Sequence, residues 1–403
     1  MKLTKMPKEF QEALPILNKL KSSGYDAYFV GGSVRDVLLD RKIHDVDVAS
    51  SAYPEEVKHI FEKTVDIGIE HGTVLVLEEE GQYEVTTFRT EDVYVDYRRP
   101  SGVTFVRSLS EDLLRRDFTI NAFALAEDGE IIDKFSGLAD LDNKLIKAVG
   151  VADDRFNEDA LRIMRALRFT ASLDFDIEEL TFEAMKEHAH LLEKISIERI
   201  FIELDKLLLA DFWRKGLKNL IDTEVYNYLP DFVAKKNELI NILNKLTNPE
   251  FIFTSSAQAW AYLLLNLKID ECKPCLRKWN VSNDFIKEVT SISEAYEIRT
   301  KRDWTRQDLY EYGSQVLREV EELKNAEGFS VDFNKIDYLE ASLPIHSKAD
   351  LAVNGASLME TFSRPGGIWI GQIINQIESL VVTGELKNDQ ATIIEYVKGI
   401  LND

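Results

Sequence analysis

The hydrophobic period changes partway along the chain, and that change limits the fold more than any other feature. The first 150 residues carry short period-two runs between turn signals. Ala27-Tyr28-Phe29-Val30 reads as a buried strand, Gly31-Gly32 as a tight turn and Ser33 to Leu39 as a helix start. His44 to Ala49 alternates again, and Thr73 to Leu77 and Tyr83 to Phe88 are Val- and Thr-rich strand candidates. The charged stretch from Thr90 to Val103, centred on Asp-Tyr-Arg-Arg-Pro-Ser-Gly, reads as a mobile loop. From about Asn157 the period becomes helical. Ala160, Ile163, Met164, Leu167 and Ala171 form one apolar stripe. Ile197 to Leu209 is a second amphipathic run with Ser196 at its N-cap, and helical patterning continues to residue 345. From Ala349 a small separate helical tail is expected. The pattern is that of an α+β protein: a mixed-sheet head followed by helices.

Length and composition narrow the class. A chain of 403 residues suggests two to four compact units, and 45% hydrophobic residues suffice for real cores. No apolar run approaches the roughly 18 residues of a membrane-spanning helix. The longest, Ala259 to Leu267, reads as a buried helix. The N-terminus has no apolar segment after its lysines, so it does not read as a signal peptide. Two cysteines exclude a disulfide framework and point to the cytoplasm. The net charge of -22 argues against a general nucleic-acid binder but leaves room for local basic stripes.

Asp45 and Asp47 are spaced as two residues on one side of a strand, with Val46 and Val48 turned to the core. Side-by-side carboxylates repel unless a cation lies between them. Mg²⁺ takes one or two carboxylates together with water and substrate phosphates. A pair of such ions can activate a hydroxyl and stabilise departing pyrophosphate. Alone, Asp-x-Asp reads better as two solvent-facing aspartates on an edge strand. Upstream, however, Gly31-Gly32-Ser33-Val34-Arg35-Asp36 ends a strand and opens a helix. There Gly32 lets backbone N–H groups approach phosphate, and Arg35 can pair with it. Glu84, in the next strand, is a candidate third carboxylate.

Two further segments are rich in arginine. In Arg115-Arg116-Asp117-Phe118-Thr119-Ile120-Asn121-Ala122, Arg116 can bind phosphate or ribose, while Asp117 and Asn121 can fix backbone. In Glu158-Asp159-Ala-Leu-Arg162-Ile-Met-Arg165-Ala-Leu-Arg168, Asp159, Arg162, Arg165 and Arg168 recur every three residues. The simpler alternative is a solvated face with Glu158–Arg162 and Asp159–Arg162 pairs. The chemical reading is sharper. Cytosine and adenine both present an exocyclic amino donor beside a ring-nitrogen acceptor. A carboxylate and an arginine, Asp159 with Arg162, match that order. Uracil and guanine present the opposite polarity and leave polar groups unpaired. Arg165 and Arg168 remain for phosphates or for holding the pair.

Together these motifs resemble the class II tRNA nucleotidyltransferases, the CCA-adding enzymes, of the polymerase-β-like superfamily. The resemblance runs through Gly-Gly-Ser-Val-Arg-Asp, His-Asp-Val-Asp, Arg-Arg-Asp-Phe-Thr-Ile-Asn-Ala, Glu-Asp-Ala-Leu-Arg and the Ile195 to Leu208 helix, about the first half of the chain. Asp350-Leu-Ala-Val-Asn-Gly355 and Pro365-Gly-Gly-Ile-Trp-Ile-Gly371 resemble the C-terminal region of Gram-positive members. The resemblance implies a seahorse-shaped protein, with a catalytic head over 1–150, a neck over 151–215, a body over 216–290 and a tRNA-binding tail over 291–403. It implies addition of C, C and A to the 3′ end of tRNA from CTP and ATP, without a nucleic-acid template. Mg²⁺ would be held by Asp45 and Asp47, and nucleotide by Gly32, Arg35, Arg116, Asp159, Arg162, Arg165 and Arg168. Bacterial poly(A) polymerases share the head and neck motifs. The full-length 90–103 segment favours enzymes that add the terminal A, A-adding enzymes included, over CC-adding ones. Oligomeric state stays open between monomer and homodimer.

Other signals are weaker. Cys272-Lys-Pro-Cys275 lacks the second ligand pair of a structural zinc site and reads as two reduced thiols. The only His-Asp dipeptide is His44-Asp45, so no HD phosphohydrolase domain is expected. Trp260 and Trp279 read as core. A catalytically silent tRNA-binding protein of this fold would be expected to lose the carboxylate pair, which this chain keeps.

Overall fold

The computed structural model describes residues 1–79, 81–91, 94–95, 99–100, 103–269 and 271–402. The chain forms two compact units, Met1–Lys236 and Asn237–Asp403. Among the described residues no helix is long and apolar enough to cross a membrane.

In the first unit, helix α1 (Lys8–Ser22) precedes strand β1 (Ala27–Val30), helix α2 (Gly32–Leu38), strand β2 (Asp47–Ser50) and helix α3 (Pro54–Ile60). Strands β3 (Thr64–Gly68), β4 (Thr73–Glu78) and β5 (Gly81–Thr87) follow. After them come β6 (Arg89–Glu91), β7 (Tyr94–Val95), β8 (Arg99–Pro100) and β9 (Val103–Phe105), with β6 paired to β9 and β7 to β8. The charged centre of the 90–103 segment lies largely outside the described residues. Helix α4 (Leu109–Leu114), strands β10 (Phe123–Leu125) and β11 (Ile131–Asp133), helix α5 (Gly137–Asp142) and strand β12 (Leu145–Ile146) complete the head.

The main sheet runs β11-β10-β1-β2-β5-β4-β3. Its pairings are antiparallel except β2 with β5. Alternation sends Phe29, Val48 and Val85 to one face, where they meet Phe10, Ala13 and Leu17 of α1. The opposite face carries Val30, Ala49, Ala124 and Phe88. Register then positions the chemistry. Val30 lies opposite Asp47, so the turn after β1 falls beside that aspartate. Asp47 is also the cross-strand partner of Glu84.

The helical stretch opens with α6 (Ala152–Glu158) and α7 (Leu161–Leu173) rather than one continuous helix. Asp159 sits in the break, extended at φ −137° and ψ 100°. The Ala160–Ala171 stripe is fully buried, as its period predicts. A short strand β13 (Asp176–Ile177) then pairs in parallel with β12, so this stretch is not purely helical. Helices α8 (Glu179–His188), α9 (Ile197–Leu208) and α10 (Trp213–Asp222) follow. Ser196 occupies the N-cap of α9 without a side-chain capping bond. Gly216 of α10 lets three helices meet closely: a Cβ there would lie 2.8 Å from Ala171 Cβ and 2.8 Å from Leu207 Cγ.

The second unit is helical: α11 (Lys236–Lys245), α12 (Ser256–Asn266), α13 (Cys272–Lys278), α14 (Asn283–Lys301), α15 (Arg306–Ala326), α16 (Phe333–Ala341), α17 (Gly355–Phe362), α18 (Ile368–Thr383) and α19 (Gln390–Asn402). Buried α12 contains most of the longest apolar run. Trp260 and Trp279 pack edge to face at 4.8 Å, both fully buried. Buried Glu327 accepts from Tyr262 at 3.0 Å and pairs with Lys245 at 2.8 Å, so its charge is compensated. Cys272 and Cys275 form no disulfide, and Cys275 is buried.

Gly216→Ala tests the helix junction behind α7. Overpacking of this kind costs about 1–3 kcal/mol. The thermal midpoint should fall by several degrees, and an unchanged midpoint would show that Leu207 moves aside freely.

Candidate active site

Two adjoining cavities share Asp47. The larger, about 530 Å³, is lined by Gly31, Gly32, Arg35, Asp47, Arg116, Asp117, Asn121 and the Asp159–Arg168 segment, among others. The second, about 510 Å³, holds His44, Asp45, Asp47 and Glu84. Residues far apart in sequence, from Gly31 to Arg168, therefore line one space.

The turn after β1 brings backbone to the carboxylate. Gly31 adopts φ 79°, a left-handed conformation that glycine accepts without strain. A Cβ on Gly31 would lie 3.4 Å from Asp47 Oδ2 and 3.6 Å from Arg116 Nη1. Asp45 is exposed and precedes β2, which begins only at Asp47, two residues past Asp45. The expected strand from His44 is thus shorter, although Val48 is buried and Val46 packs against the same core.

Asp47 carries the clearest electrostatic signature. Burial, then the charge of Glu84 and, more weakly, that of Asp45, push its carboxyl up to about 6, against the opposing pull of Arg116. Such a crowded, oxygen-only donor set fits a hard divalent cation, whose charge relieves the repulsion.

The arginine side is held by a buried relay. Asp117 accepts from Phe118 N at 2.8 Å and Asn121 Nδ2 at 3.0 Å, and from Arg165 Nε at 2.8 Å and Nη2 at 2.6 Å. Burial alone would raise its carboxyl. The Arg165 charge and these hydrogen bonds outweigh burial and bring it down to about 2. Asn121 Oδ1 in turn accepts from Arg35 Nη1 at 2.6 Å. Asp117 fixes backbone as foreseen, at Phe118 N, whereas the Asn121 side chain bonds the side chains of Asp117 and Arg35 instead. Phe169 completes the wall, with the guanidinium carbons of Arg168, Arg35 and Arg165 at 4.2, 5.2 and 5.6 Å from its ring centre.

The segment read as a ribbon of charge is mostly not a solvated face. Arg162 is 7% exposed, donates to Glu158 Oε2 at 2.9 Å and to Arg115 O at 2.8 Å, and so carries the Glu158 pairing in a buried setting. Arg168 Nε donates to Glu203 Oε2 at 2.5 Å. Asp159 takes its salt bridge from Arg199, at 2.9 Å. Sequence reasoning assigned no role to Arg199 or Glu203. Spacing was the one available signal: Arg199 and Glu203 lie four residues apart, on one face of α9, but among five charged residues of that helix.

Comparison with known proteins follows this geometry. Family models match as a poly A polymerase head domain over residues 27–147, a probable RNA- and SrmB-binding site of polymerase A over 174–235, and a tRNA nucleotidyltransferase domain 2 over 251–397. A CCA-adding enzyme of Streptococcus agalactiae is 57% identical over 403 residues, spanning all of both chains. The chain belongs to the CCA-adding enzyme family. The CCA-adding enzyme of Streptococcus thermophilus is 59% identical over 400 residues, 99% of each chain. The crystal structure of Bacillus stearothermophilus CCA-adding enzyme in complex with CTP matches with a TM-score of 0.89 at 40% identity, covering 98% of this chain and 100% of that one. The α+β reading, with a polymerase-type head and a helical remainder, agrees with that family's fold.

Asp47 yields a pH test. A carboxyl raised to about 6 in the folded state penalises folding when ionised. The penalty is absent below the usual carboxylate range, builds between about pH 4 and 6, and is full above 6. In metal-free buffer, Asp47→Asn should therefore raise the thermal midpoint at pH 8 and have little effect at pH 4. Equal effects at both values would contradict the shift.

Proposed function

We infer that this protein adds C, C and A to the 3′ end of tRNA, using CTP and ATP and no nucleic-acid template. One observation carries the reading: a single cavity joins Asp47 and the Gly31–Gly32 turn at one end to Asp159 and Arg162 at the other. The first end suits phosphate transfer and the second suits reading a base edge. Full-length identity to CCA-adding enzymes supports the same activity.

In this reading the tRNA 3′-hydroxyl forms a bond to the α-phosphorus, and the bond to the bridging oxygen breaks to release pyrophosphate. Asp45 and Asp47 would hold Mg²⁺, which when bound neutralises the charge that gathers on the phosphates. The chain's own groups do the positioning. Gly31 keeps the wall open beside Asp47, where a Cβ would stand against the carboxylate. Arg116 presents a buried Nε that has no hydrogen-bond partner among the described residues, a donor suited to a phosphate or ribose oxygen. Arg35 and Arg165, anchored through Asn121 and Asp117, and Arg168, anchored by Glu203, hold positive potential in place before substrate arrives. Asp159 accepts from the amino group of cytosine or adenine, and Arg162 donates to the ring nitrogen. Gly32 lines the cavity beside the phosphates.

The reading keeps the head over 1–150, the neck over 151–215, the body over 216–290 and the tail over 291–403, the last two meeting tRNA. The match of residues 251–397 to a tRNA nucleotidyltransferase domain favours tRNA over RNA in general. Two cysteines with no disulfide between them support a cytoplasmic setting.

The direct test supplies tRNA lacking its CCA end, Mg²⁺ and single labelled nucleotides. Incorporation of C and then A is expected. Addition of A alone, to tRNA already ending in CC, would reassign the protein as an A-adding enzyme. Addition of A to any RNA would reassign it as a poly(A) polymerase. No incorporation at all would overturn the enzyme reading. Asp45→Ala and Asp47→Ala should each abolish incorporation while tRNA binding, measured by filter retention, stays near wild type. Asp159→Ala combined with Arg162→Ala should relax base choice more than it weakens triphosphate binding.

A further inference from the structure

Helix α9 reaches the cavity wall through two side chains one turn apart. Arg199 Nη2 donates to Asp159 Oδ2 at 2.9 Å. Glu203 accepts from Arg168 at 2.5 Å, and its other oxygen lies 3.8 Å from Arg165 Nη1. Residues four apart share a helix face. The two charges therefore grip opposite ends of the Asp159–Arg168 segment, a cation on the carboxylate and a carboxylate on the cations.

The grip matters more at Asp159 than at Arg168. Arg168 is fixed by the regular backbone of α7. Asp159 sits between helices, so no helical register sets the direction of its side chain. Two bonds do so instead. Oδ1 accepts from Leu161 N at 3.0 Å, and Oδ2 accepts from Arg199. A carboxylate oxygen has two acceptor directions. With one direction of Oδ2 taken by a guanidinium, the remaining direction is set. A donor placed there is satisfied, whereas a carbonyl oxygen placed there meets a lone pair.

We propose that Arg199 is a specificity-positioning residue, which acts through Asp159, orienting it so that the site separates an amino group from a carbonyl. The proposal rests on Asp159 as the base reader. Its rival is a brace, in which Arg199 merely holds α9 against the adjoining segment. A brace would lower stability and lower the rate with every nucleotide alike.

The experiment uses the full chain and measures kcat/KM for CTP against UTP on tRNA lacking CCA, and for ATP against GTP on tRNA ending in CC. Arg199→Met should reduce both ratios by about tenfold or more, the scale set by one misplaced polar contact. Arg199→Lys, which keeps a donor and a charge, should recover much of the ratio. Glu203→Gln should raise KM for all four nucleotides and leave the ratios unchanged. Asp159→Ala is the reference. If it loses discrimination while Arg199→Met keeps the wild-type ratios at a uniformly lower rate, Arg199 is a brace and the proposal is overturned alone. If Asp159→Ala also keeps the ratios, the base-reading assignment falls and takes the proposal with it. Should Arg199→Met fail to fold by circular dichroism, Arg199→Gln, an uncharged donor of closer shape, is judged by the same ratios.

Discussion

The site depends on the bond between buried Asp117 and half-buried Arg165. Asp117 belongs to the segment that leads into β10, and Arg165 to α7. Their contact ties the sheet-bearing part of the first unit to the helix that carries the candidate base-reading groups. A buried carboxylate is costly to desolvate and is tolerated only when its lone pairs are used. Here they are used, by Asn121, by Phe118 N and by two nitrogens of the same guanidinium. Asn121 then passes the constraint to Arg35, at the other side of the cavity. Rigidity of the arginines that line the cavity follows from this chain of bonds rather than from any one of them.

Charge is distributed along the cavity with a clear logic. At one end Asp45, Asp47 and Glu84 form no salt bridge among the described residues, and Asp47 is pushed toward its protonated form despite the nearby charge of Arg116. Elsewhere each acid is matched to an arginine: Asp112 to Arg115 and Arg116, Asp117 to Arg165, Asp159 to Arg199, and Glu203 to Arg168. The unmatched end is the one that a divalent cation fits. The matched part is preorganised, so little rearrangement is needed when a triphosphate arrives. The overall charge of -22 says nothing of this local arrangement.

Much of the first unit was legible in the sequence because burial writes itself as period. The strands at residues 27–30, 73–78 and 81–87 and the apolar stripe of α7 follow from which side chains avoid water. Charged groups carry no such period. Reading Asp159 to Arg168 as one winding ribbon missed the break at Asp159, because a single extended residue between two helices leaves no compositional mark. The start of β2 was misplaced for a related reason. Asp45 alternates correctly, yet the strand is defined by partners, and the pairing of β2 begins with Asp47 opposite Val30 and Glu84.

By itself the sequence determined the fold class, the family and the kinds of residue at both ends of the cavity, since each is encoded in local spacing and side-chain chemistry. Only the tertiary structure decided which charges meet. It set Glu84 across from Asp47, sent Arg162 to Glu158, and gave Asp159 to Arg199 from a helix some forty residues away. Ion pairing between distant segments depends on where the backbone carries them. Many arginines could satisfy a given carboxylate, and packing selects one.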